Sequence, residues 1–153
     1  MRSSKFRCRR LPLLGCFFLL LALISGAARA DVFGAWSGQL AFSDSGGRSE
    51  SWGCVLEITR TPTMLFVSDR NWCTYMHREL EISEGRLMLA GRQIGTISAG
   101  RIEVRENRAE YLYYFTAQLG DSGELLISDV FHDWEGNHSE KVSGPLRMGS
   151  KSR

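Results

Sequence analysis

Chemistry in this chain has few places to start: Cys54 and Cys73, the histidines His77, His132 and His138, and Asp129. The cysteines lack the C-x-x-C spacing of a redox pair, and no further cysteine follows the leader to complete a zinc site. An even pair in an exported domain reads as a disulfide. Closing a loop of that size contributes about 3 kcal/mol by restricting the unfolded chain. His132-Asp133 and His138 flank one turn, so two imidazoles and a carboxylate can approach each other. Their spacing matches no established zinc signature, and solvated hairpin residues are the simpler reading. Asp129 falls on an apolar strand face, where a carboxylate needs partners or stays protonated. A solvated place near a strand end is expected for it.

Hydrolytic and phosphate-binding signatures are missing. The serines include no G-x-S-x-G elbow. Gly46-Gly47 lacks the Lys-Ser/Thr and helix of a phosphate loop. Glu79 and Glu81 alternate along a strand and face water. The expectation is a protein that is not an enzyme and uses no metal or cofactor.

The start of the chain sets the compartment. Arg2, Lys5, Arg7, Arg9 and Arg10 precede an apolar run, Leu11 to Ile24, and Ala28-Arg-Ala30 offers small residues for cleavage. That is a secretory signal peptide over 1–30, cleaved after Ala30, and it implies a periplasmic or secreted protein. The apolar run is short of the ~20 residues of a membrane span, so an uncleaved anchor is the lesser alternative. Leu13-Leu-Gly-Cys16 precedes most of that run, where a lipoprotein box would follow it.

Removing the leader leaves 123 residues, enough for one core. It also reverses the charge. Six of the 19 Lys+Arg and none of the 17 Asp+Glu lie in the leader, so the remainder carries a net charge of −4. Nucleic-acid binding has no support from that balance. Cys8 and Cys16 leave with the leader as well.

The elements that must position these residues are strands. Asp31 to Ser43 alternates, with Val32, Gly34, Trp36, Gly38, Leu40 and Phe42 on one face. Ser51 to Arg60 alternates again, with Trp52, Cys54, Leu56 and Ile58 inward, and Thr61-Pro62 ends it. Thr63 to Val67 and Trp72 to His77 read as short strands around a turn at 68–71, so the cysteines would tie two strands. Glu84-Gly85 and Ala99-Gly100 mark two hairpins, 79–90 and 93–105. Glu110 to Met148 is a three-stranded meander with turns at 120–123 and 135–137. The pattern predicts an all-β domain over 31–148: a single small antiparallel β-barrel, or a partly open barrel or sandwich, with a disordered tail at 149–153. Pro145 in the last strand favours the open forms.

Two-residue turns at Asp121-Ser122 and Gly136-Asn137 sort the meander's faces. Leu112, Tyr114, Leu125, Ile127, Phe131, Val142, Leu146 and Met148 form the expected core face, with Asp129 opposite Tyr114. Tyr111, Tyr113 and Phe115 then fall on the other face as a candidate binding surface, since exposed aromatic clusters mark contact sites. A three-residue turn would exchange the faces. Trp36, Trp52, Trp72 and Trp134 read as core and sheet-edge packing more than as a ligand box.

Gly34-Ala-Trp36 on the first strand resembles the Gly-x-Trp that opens the calycin barrels, the lipocalins and avidin relatives. The resemblance implies an up-and-down barrel whose base is capped by Trp36 under a basic residue of the last strand, for which Arg147 is the candidate. It also implies a cup for a small apolar molecule, its candidate cavity lined by Trp36, Leu40, Phe42 and Tyr114. Two functions are therefore expected. One is an exported binding protein, an inhibitor or accessory of another protein, acting through a β-sheet surface. The alternative is a calycin-type carrier of a small apolar ligand. In neither case is nucleic acid a partner, and no transmembrane span remains once the leader is removed.

Overall fold

The computed structural model describes residues 31–149. The expected leader and the last four tail positions lie outside the described residues. Ten strands follow in chain order: β1 (Gly34–Asp44), β2 (Ser49–Arg60), β3 (Met64–Asp69), β4 (Arg78–Ser83), β5 (Arg86–Leu89), β6 (Arg92–Ser98), β7 (Arg101–Asn107), β8 (Tyr111–Leu119), β9 (Leu125–Asp133) and β10 (His138–Met148). Each pairs antiparallel with its sequence neighbour, and β10 pairs β1, so the sheet is a closed all-β barrel. No helix among the described residues is long and apolar enough to cross a membrane.

Period-two alternation builds the core. Val32, Trp36, Leu40 and Phe42 point inward from the first stretch, as do Cys54, Leu56 and Ile58 from β2. Burying each large apolar side chain stabilises by about 1.5–3 kcal/mol. The Trp36 indole closes the lower end, where its Nε1–H donates to Val32 O at 2.9 Å. Gly149, expected in the tail, donates its N–H to Ala35 O.

Pro145 does not open the ring. The β1–β10 pairs run from Trp36↔Met148 to Gly38↔Leu146 and resume at Ala41↔Ser143. The skipped positions are Gly144 and Pro145, so the missing proline N–H falls in a local gap. At Gly144 the two backbones come close. A Cβ there would stand 3.1 Å from Gln39 O, and φ is +153°, so only glycine suits the site.

Both expected turns of the meander are longer than two residues, and the first of them changes the faces. Gly120 N–H donates to Glu124 O, and Gly123 sits at φ +82°. This is a three-residue loop with a left-handed glycine, not a two-residue turn. Tyr113 therefore pairs with Phe131 and Phe115 with Asp129. The side chains of Tyr111, Tyr113 and Phe115 turn inward, and Leu112 and Tyr114 move to the outer wall. The β9–β10 register differs from expectation by two residues, as in Asp129↔Val142, which leaves its faces unchanged. Met148, expected in the core, lies exposed at the lower rim, beyond the last pair of β10 with β9.

A second correction concerns 70–77. This stretch is an irregular connection between β3 and β4, not a strand, and it is the longest link on the upper rim. The links 45–48, 90–91, 108–110 and 134–137 share that rim.

Candidate functional site

The upper rim is roofed by the 70–77 connection, and the roof is pinned from several sides. Cys73 is disulfide-bonded to Cys54 of β2, with Cα atoms 5.4 Å apart. The bond thus ties a strand to a loop. Arg70 N–H donates to Val55 O, and Asn71 Nδ2 to Gly53 O, both at 3.2 Å. Asp69 Oδ2 accepts from Thr74 N–H and Oγ1–H, both at 2.9 Å. Cys73, Thr74 and Met76 are buried.

Beneath the roof lies a polar cluster inside an otherwise apolar barrel. Asp129 is fully buried in the middle of β9, contrary to the solvated strand end expected for it. Its Oδ2 accepts the Tyr75 backbone N–H from the roof. Its Oδ1 and the nearby Tyr113 hydroxyl have no hydrogen-bond partner among the described residues. Burial pushes the Asp129 carboxyl up to about 7, against the Tyr113 hydroxyl and the Arg78 guanidinium, which favour the charged form. The Tyr113 hydroxyl is itself raised, by burial first and then by the neighbouring Asp129 charge.

Glu106 is the second buried acid. It extends the inward alternation Ile102, Val104, Glu106 of β7. Arg78 of β4 donates to its Oε1, and the Tyr111 hydroxyl donates to its Oε2 at 3.1 Å. Arg108 Nε stands 3.7 Å away. The Arg78 guanidinium also lies 5.0 Å from the centre of the Tyr113 ring. Charge on Glu106 is thus met by a cation and a phenol, as burial requires.

Above the roof the chemistry is aromatic. Trp72 is 80% exposed, Trp134 47% and Tyr75 39%. The Trp72 ring stacks on His77 with centroids 5.6 Å apart, and its backbone sits at φ +51°. A tryptophan in the left-handed region costs about 1–3 kcal/mol, which the pinned roof around it must offset. Tyr75 meets Phe131, which meets Tyr111 in turn. The Trp134 ring packs edge-on to His132 with centroids 4.1 Å apart, and the Trp134 backbone N–H donates to Glu110 O, tying down the 134–137 turn.

The residues singled out from sequence divide as follows. Tyr113 and Phe115 are buried and Tyr111 packs against the core, so they form no binding surface. The longer turn before β9 is the reason. Trp36, Leu40 and Phe42 do share the interior, but Tyr114 is on the outer wall, so the four do not form one cavity. Four surface clefts occur among the described residues, and Trp36, Leu40, Phe42 and Asp129 line none of these. Arg147 is exposed opposite Ser37 and does not cover Trp36. His132 and His138 sit on opposite faces of the sheet. One meets Ser139 Oγ, and the other Glu140 Oε1 at 3.1 Å. Among the described residues no group of three His, Cys, Asp or Glu could hold a metal ion.

Sequence reasoning missed Glu106, Arg78 and the exposure of Trp72 and Tyr75. Continuing the alternation of β7 would have found Glu106. In 72–77 neither alternate set is uniformly apolar, so the sequence carries no sign of which residues face out. No protein-family model matches this chain, and no curated protein matches it either.

Proposed function

We propose that this protein is an exported, non-enzymatic binding protein that meets another protein through the aromatic upper rim of its barrel. The observation that carries this reading is the Trp72 indole, held almost fully in solvent on a loop fixed by a disulfide and by hydrogen bonds. A large apolar ring kept outward on a rigid support is the usual anatomy of a contact hot spot, because little ordering entropy remains to be lost on binding. Tyr75 and Trp134 extend the patch across the same rim. Export is supported by the leader-like start of the chain and by the disulfide. Inhibition or assistance of the partner are both compatible with such a rim.

The calycin-type carrier is the second reading. The closed barrel and the buried Trp36 at its lower end favour it. The full burial of Leu40, Leu56 and Phe115 inside the barrel weighs against it.

The test is capture from the native envelope fraction on immobilised protein, identified by mass spectrometry. Wild type and Leu126→Ala, a change on the outer wall, are expected to retain the same partner, and Trp72→Ala/Trp134→Ala to lose it. Equal capture by the rim variant would remove the rim from the account.

A further inference from the structure

Beside the Trp72–His77 stack, the outer wall carries a cleft of about 430 Å³ lined by Glu57, Thr59, Phe66, Ser68, His77 and Glu79, among others. Strand alternation puts these residues outside, except His77, which ends the 70–77 connection and is exposed. Leu56, Ile58, Leu65, Val67 and Leu80 take the inner positions of β2, β3 and β4, and their neighbours face solvent. Register then gathers them, since Glu57 pairs with Ser68, and Phe66 lies between Thr59 and Glu79.

Two carboxylates and one guanidinium, that of Arg78, line the cleft. Glu57 and Glu79 are exposed, and neither forms an ion pair among the described residues. Arg78, the cation at the cleft, directs its guanidinium to Glu106 inside the barrel. Two unpaired carboxylates that share this lining with the Phe66 ring suit one kind of guest. A lysine ammonium or arginine guanidinium gains charge-assisted hydrogen bonds from the first and cation–π contact from the second. An acidic or purely apolar guest would leave the carboxylates unpaired. The net charge of −4 outside the leader points to the same sign of partner.

We propose that this cleft receives a lysine or arginine side chain of the partner protein, so that the partner is basic where it meets the rim. The inference rests on the rim reading above and adds the chemistry of what the rim recognises. Trp72 reports on the site directly, because its ring adjoins the cleft through His77.

The experiment titrates the processed protein with a lysine- and arginine-rich peptide, to about 1 mM, reading tryptophan fluorescence. The expected result is saturable binding that weakens in added salt and weakens about tenfold in Glu57→Gln/Glu79→Gln. A glutamate-rich peptide of equal length is expected not to bind. Both substituted positions are exposed, and circular dichroism checks that the barrel is retained. Equal binding by wild type and the double variant would overturn the inference, as would equal binding of the two peptides. The rim reading is scored separately: if Trp72→Ala/Trp134→Ala still abolishes envelope capture, the rim stands although the basic guest does not.

Discussion

Asp129 accepts the backbone N–H of Tyr75 across a separation of 54 residues, joining the middle of β9 to the roof of the barrel. That bond is made by a carboxyl with no exposure to water. It joins one buried acid to the loop that displays Trp72 and Tyr75.

The first prediction concerns pH. The Asp129 carboxyl is raised to about 7 by burial, from an ordinary value of 3.8. Between those values the folded chain holds a proton that the unfolded chain releases, so the acid's contribution is fully present at low pH and is lost as pH rises toward neutrality. Urea denaturation is expected to show wild type a few kcal/mol less stable at about pH 8 than at about pH 5 through this group. Asp129→Asn keeps an acceptor for Tyr75 without a charge. It is expected to flatten that part of the profile and to exceed wild type at about pH 8. Parallel profiles for the two proteins would contradict the burial of Asp129.

The buried ion pair gives a second. Arg78→Met leaves Glu106 without its nearest cation, and is expected to cost about 3–5 kcal/mol. Arg78→Met/Glu106→Leu is expected to cost much less than the two single changes together, because no charge remains buried. Additive losses in a double-mutant cycle would mean that the two side chains do not interact.

The third tests the turn before β9. With a three-residue loop, Phe115 is core and Tyr114 is wall. Phe115→Ala is expected to lose about 3–5 kcal/mol and Tyr114→Ala about 1 kcal/mol or less, measured by thermal or urea unfolding. The reverse order would restore the two-residue turn and return the aromatic stripe to the surface.

Much of the fold was legible in the sequence because half-buried strands alternate. Val32, Trp36, Leu40 and Phe42 were placed correctly by period alone, as were Leu56 and Ile58. The disulfide is legible from the parity of the cysteines beyond residue 30. The site was far less so. One residue in the turn at 121–123 decides the side on which Tyr113 and Phe115 stand, and Asp-Ser-Gly permits both lengths. Glu106 lies just past the hairpin expected over 93–105, although it continues the inward set of Ile102 and Val104. Trp, Tyr and Thr give 72–77 the propensity of a strand, whereas its shape is set by contacts distant in sequence, Cys54 and Asp129 among them.

The most direct test takes a protein recovered by capture on the immobilised wild type and measures its affinity for wild type and for Trp72→Ala, with Leu126→Ala as the wall control. A rim hot spot predicts a loss of at least about 2 kcal/mol, roughly thirtyfold in Kd, for Trp72→Ala and almost none for Leu126→Ala. Unchanged affinity in Trp72→Ala together with a loss in Leu126→Ala would move the contact to the barrel wall and contradict the account.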